Sequence, residues 1–109
     1  MEAARLVYKR DRTTRLLGQA LVDGVPLNLA SRTLEVRLAV SDTATTALTL
    51  GTGAGAAVTD AALGRFWWEV SPANLTALGD INNVWTVINV YNADNSLAFE
   101  AYGNAEVRL

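Results

Sequence analysis

A chain of 109 residues, half of them hydrophobic and 18% charged, is long enough to bury one core and too apolar for disorder. Nine basic against eleven acidic residues leave a net charge of −2, which argues against a nucleic-acid footprint over the whole domain, and no apolar run nears the roughly 18 residues of a membrane span. There is no cysteine and no histidine, so disulfides, thiolate nucleophiles, imidazole ligands and Ser–His chemistry are all excluded.

The chain opens on Met1–Arg15, which lacks the apolar core of a signal peptide. Arg5, Lys9, Arg10, Arg12 and Arg15 stand there against Glu2 and Asp11, a net of +3, while residues 16–109 carry −5. Leu6, Val7 and Tyr8 lie inside this basic stretch, and a short extended piece is expected at Leu6–Tyr8. The mixture predicts an ordered docking element with apolar anchors, steered by its charge onto an acidic partner surface. A strand follows within Thr14–Val22, and Asp23-Gly24 reads as a turn, with Pro26 restarting an extended segment.

Strict alternation over Arg32–Val40 puts Leu34, Val36, Leu38 and Val40 on one face of a half-buried strand, with Thr33, Glu35 and Arg37 on the other. Weaker extended segments are expected near Ala47–Leu50 and Ala57–Thr59, joined by a flexible loop at Gly51-Thr-Gly-Ala-Gly55. Phosphate loops need a helix N-terminus behind the glycines, and the Ala-Ala-Val-Thr-Asp that follows here does not offer one. Arg65–Val70 is an aromatic strand in which Phe66, Trp68 and Val70 share the core side and Trp67 faces the other way. Ser71 as N-cap, Pro72 at the first helical position and Gly79 as stop predict one short helix over Pro72–Leu78. Val84–Tyr91 is apolar on both faces, as a central strand is. The turn Ala93–Ser96 leads into the last strand, where Leu97, Phe99, Ala101, Gly103, Ala105, Val107 and Leu109 share a face and Gly103 marks a bulge or bend.

About seven or eight short strands separated by turns predict a single all-β domain over 1–109, an antiparallel β-sandwich with one short helix. The expected core is Leu34, Val36, Leu38, Phe66, Trp68, Val70, Phe99 and Val107. An outward Trp67 is a candidate protein anchor or sugar platform, or is covered by a neighbouring element. Asn74-Leu-Thr76 matches a glycosylation sequon by chance, and Asp42, Asp60, Asp80 and Asp94 lack calcium-loop spacing.

In order along the chain, Lys9-Arg-Asp-Arg-Thr-Thr14, Asp23-Gly-Val-Pro-Leu-Asn-Leu29, the strand Leu34–Val40, Asp60-Ala-Ala-Leu-Gly-Arg-Phe-Trp68, the short helix, the strand after it and Gly103-Asn-Ala-Glu-Val107 form one layout. It resembles a small immunoglobulin-like domain of tailed bacteriophages, found at the N-terminus of baseplate upper proteins and as free-standing virion proteins. Trp85 stands where that family usually has tyrosine, and Asp80-Ile-Asn-Asn83 is longer than its usual tight turn. The resemblance implies an Ig-like fold and a non-enzymatic structural role in the virion, in tail, baseplate, neck or head surface, assembled in the host cytoplasm. The implied partners are other virion proteins and copies of the chain itself, with no cofactor, metal, nucleic acid or membrane. The expected contact residues are Arg5, Leu6, Tyr8, Lys9, Arg10, Arg12, Arg15 and Trp67. The rival expectation is a carbohydrate-binding or adhesion module that uses an exposed tryptophan.

Overall fold

The computed structural model describes residues 6–44 and 48–109. The protein is all-β apart from one short helix. Ten strands run in chain order: β1 (Leu6–Lys9), β2 (Thr14–Gln19), β3 (Leu21–Val22), β4 (Val25–Pro26), β5 (Thr33–Ala39), β6 (Leu48–Thr52), β7 (Gly55–Asp60), β8 (Arg65–Val70), then helix α1 (Pro72–Ala77), β9 (Asn83–Tyr91) and β10 (Leu97–Arg108). Eight of them form a single sheet in the order β1-β10-β9-β5-β6-β7-β8-β2, and β3 and β4 form a small hairpin of their own. The sheet is mixed rather than wholly antiparallel, because β1 runs parallel to β10 and β6 parallel to β7.

The sheet doubles back until its two ends meet, nearly closing a barrel. Trp68 on β8 donates its indole N–H to the Tyr8 hydroxyl on β1 at 3.2 Å, and the Lys9 amide donates to Thr14 Oγ1 at 2.7 Å. Alternation decides what lies inside. All eight expected core residues are buried, the most exposed being Phe99 and Val107 at 9%. Leu75 of α1 is fully buried and joins the same core. The helix begins where expected: Ser71 Oγ accepts from the Asn74 amide, the Asn74 side chain accepts from the Ser71 amide, and Pro72 follows the cap.

A buried polar chain crosses this core. From Trp68 Nε1 the bond runs to Tyr8, from the Tyr8 hydroxyl to Thr86 Oγ1 at 2.8 Å, and from Thr86 to the Val84 carbonyl at 3.4 Å. Each hydroxyl donates once and accepts once, so neither the Tyr8 nor the Thr86 hydroxyl is orphaned. Burial pushes the Tyr8 phenol above its ordinary pKa, with the bonds to Thr86 and Trp68 opposing it.

Several expectations need correction. The alternation of β5 ends one residue early: Ala39 is buried and Val40 is 53% exposed, because the strand stops at Ala39. The last strand's inner face runs only from Phe99 to Val107, with Leu97 and Leu109 exposed at 51% and 85%. Its irregularity falls between Leu97 and Phe99, and Gly103 pairs in regular register with Thr86. Small residues at 103 and 105 leave room for Tyr8 on β1 to reach across β10 to Thr86 on β9. The loop expected at Gly51–Gly55 is a tight turn, with the Ala54 amide donating to the Gly51 carbonyl at 2.8 Å and Gly53 and Gly55 at positive φ. Of the extended segment expected at Ala47–Leu50, Ala47 lies outside the described residues.

Candidate interaction surfaces

The expected contact residues do not form one surface. Arg5 lies outside the described residues. Leu6 and Tyr8 belong to strand β1, alternate inward, and are 9% and 0% exposed. They are anchors for the chain's own core and have no area left for a partner. The N-terminal basic stretch is thus, over Leu6–Lys9, a structural strand paired to β10. Lys9 reaches back to the Leu109 carbonyl at 3.5 Å. Arg10 holds the loop after α1, donating to the carbonyls of Asp80 and Ile81 at 3.3 Å each and lying 3.6 Å from the Asp80 carboxylate. Arg12 stands exposed beside Asp11 at 3.2 Å, and its guanidinium holds that carboxyl below the usual carboxylate range.

Arg15 and Trp67, by contrast, come together. β2 pairs with β8 in the register Arg15↔Glu69, Leu17↔Trp67 and Gln19↔Arg65, so these side chains share the outer face. The Arg15 guanidinium lies 3.9 Å from the centre of the Trp67 ring and bonds Glu69 at 2.8 Å. Trp67 is therefore half-buried, with one ring face already occupied by a cation. Next to it Leu17 is 78% exposed on a strand at the end of the sheet. Arginine and tryptophan beside an exposed leucine is the side-chain chemistry that anchors protein interfaces.

A second surface lies on the outer face of β5, β9 and β10. Arg37, Trp85, Asn89, Glu100 and Tyr102 border a groove there, with Ser41 and Asp42 also lining it. Trp85 and Tyr102 stand on neighbouring strands with ring centres 5.4 Å apart and planes tilted by 34°. Asn89 and Tyr91, further along β9, both donate to Glu35 Oε1, at 3.5 and 3.4 Å. Burial, together with the Glu35 carboxylate, pushes the Tyr91 phenol above its ordinary pKa. None of these groove residues was expected as a site. The available signal was the spacing Trp85, Val87, Asn89, Tyr91, which puts two aromatics and an amide on one face of β9, but it reads equally as a strand covered on both sides.

Among the described residues, no group of three or more carboxylates could hold a metal ion, and no helix is long and apolar enough to cross a membrane. No protein-family model and no curated protein matches the chain.

Proposed function

We propose that the chain is a non-enzymatic structural component of a bacteriophage virion, an immunoglobulin-like sandwich that acts through contacts with other virion proteins and with copies of itself. The strand order supports the fold half of this reading. In a variable-type immunoglobulin domain one layer holds strands B, E and D, and the other holds G, F, C and C′. Here β2, β8 and β7 stand side by side as B, E and D would, and β10, β9, β5 and β6 as G, F, C and C′ would. The pairing of β6 with β7, over Gly51↔Gly55 and Thr52↔Ala56, is then the corner where one layer passes into the other. The layout of charged start, Asp-Gly-x-Pro turn, Gly-led aromatic strand and closing hairpin supports the phage setting.

The observation that carries the contact role is the outer face of β2 and β8, where Leu17 lies open beside the Arg15–Trp67 pair. It is apolar at its centre and charged at its edge, as an assembly contact is. A sugar stacked on Trp67 would have to displace Arg15 from one ring face, which disfavours the rival reading at this residue. Leu17→Asp in a phage whose genome carries this sequence tests the contact. The side chain is mostly in water, so the variant should fold with an unchanged circular dichroism spectrum and lose most of its incorporation into particles. A folded variant that enters particles at normal copy number would contradict the contact role.

A further inference from the structure

The groove on β5, β9 and β10 has features that an assembly patch does not need. Its volume of about 430 Å³ falls within the roughly 300–1,000 Å³ usual for small-ligand sites. Asn89 on its floor is only 5% exposed, and its Oδ1 is buried without a hydrogen-bond partner. A buried amide oxygen in that state is in want of a donor. Among the described residues neither Arg37 nor Asp42 makes a hydrogen bond or ion pair, so both keep hydrogen-bonding capacity on the groove wall, although the Arg37 charge is felt by the Tyr91 phenol. Trp85 and Tyr102 add an aromatic surface, with Tyr102 38% exposed.

We propose that this groove is a binding site for a neutral carbohydrate, with one pyranose ring lying on Trp85 and Tyr102. The charges select the class. Asp42 repels an anionic ligand, and Arg37 repels a cation. A neutral polyol meets neither penalty, and it carries the alternating donors and acceptors that Arg37 and Asp42 lack. Its hydroxyls donate to Asp42 and accept from Arg37, while its C–H face covers the rings. A peptide strand is a poorer occupant. β9 is hydrogen-bonded on both sides, to β10 and to β5, so the groove offers a strand no free backbone edge. The site is independent of the virion reading, since a sugar can be bound by the purified chain alone.

The purified chain is presented to an array of neutral hexose and N-acetylhexosamine oligosaccharides, and the strongest binder is then titrated by calorimetry. A defined subset of glycans should bind. Trp85→Ala should abolish that binding, and Arg37→Ala and Asp42→Ala should each weaken it about tenfold or more, the loss of one hydrogen bond to a charged group. Those two side chains make no hydrogen bond or ion pair with the described residues, so their variants should keep the fold even if Trp85→Ala loses it. Trp67→Ala and Leu17→Asp should leave the affinity unchanged. The proposal is overturned if no oligosaccharide binds at millimolar concentration, if binding survives both Arg37→Ala and Asp42→Ala, or if Trp67→Ala removes it. It is equally overturned if Arg37→Ala and Asp42→Ala block particle incorporation while no glycan binds, for the groove is then a protein interface.

Discussion

Tyr8 is the residue in which the sequence and the fold part most sharply. It sits in a basic stretch, yet its ring is fully buried and its hydroxyl joins Trp68 to Thr86. Tyr8→Phe keeps the ring and leaves the Trp68 indole N–H without an acceptor, at a cost of about 1–3 kcal/mol in urea unfolding at neutral pH. The phenol also sets a pH response. Its folded pKa is raised, so below about 10, the ordinary value, both folded and unfolded states keep the proton and its contribution is constant. Above that, the unfolded chain loses the proton first and stability falls as pH rises. The alkaline limb of the stability–pH curve should be shallower in Tyr8→Phe than in the wild type. Gly64 is a second such residue. Its φ is +69°, and a Cβ would lie 2.7 Å from the carbonyl oxygens of both Ala20 and Leu27. Gly64→Ala should cost about 2–4 kcal/mol, from left-handed strain plus overpacking against rigid backbone, measured by the same unfolding curves. That a glycine leads the aromatic strand was readable in sequence, as was the inward side of Trp68. The inward turn of Tyr8 was not, because four residues of alternation in a charged stretch are too few to tell a core strand from a docking arm.

At the level of elements, local chemistry was sufficient wherever the pattern was long or the punctuation complete. The helix is the clearest case: Ser71, Pro72 and Gly79 set its limits, and Gly79 takes a φ of +91° after the last turn. Ser71→Ala removes one arm of the capping box and should cost about 1 kcal/mol, seen as a lower thermal midpoint with an unchanged strand signal. The Asp23-Gly24 turn is similarly local, with φ of 52° and 78° at its two central residues, as a two-residue hairpin turn requires. β8 matches its expected bounds because four aromatic or β-branched residues among its six stand between Gly64 and Ser71-Pro72. The weak elements lacked such marks. The stretch Thr14–Val22 divides into β2 and β3 at Ala20, which is buried and gives its amide to the Gly64 carbonyl at 2.8 Å. That contact spans the chain, and no local pattern announces it.

At the scale of the whole molecule, the order of strands is set by pairings between distant segments, which periodicity does not encode. Alternation along β10 assigns it an inner face, but its parallel pairing with β1 goes with the packing of Tyr8 against Thr86 and Trp68, which no local pattern announces. The same holds for the surfaces. The sequence suggested Arg15 and Trp67 separately, and the register Arg15↔Glu69 beside Leu17↔Trp67 makes them one patch. The groove at Trp85 and Tyr102 needed the pairing of β9 with β10 before it could be seen at all. One surface lies on β2 and β8 and the other on β5, β9 and β10, with no shared residue, so substitutions in them should act independently: Leu17→Asp alters incorporation alone, and Asp42→Ala alters glycan binding alone. The claim on which the functional reading stands is that this chain is built into the virion. Mass spectrometry of purified, nuclease-treated particles of a phage whose genome carries this sequence tests it most directly. The chain should be present in several copies per particle at a fixed ratio to the major capsid protein through successive gradient purifications. Its loss from the particles during purification, or its absence from them while it is abundant in the infected cell, would contradict the reading.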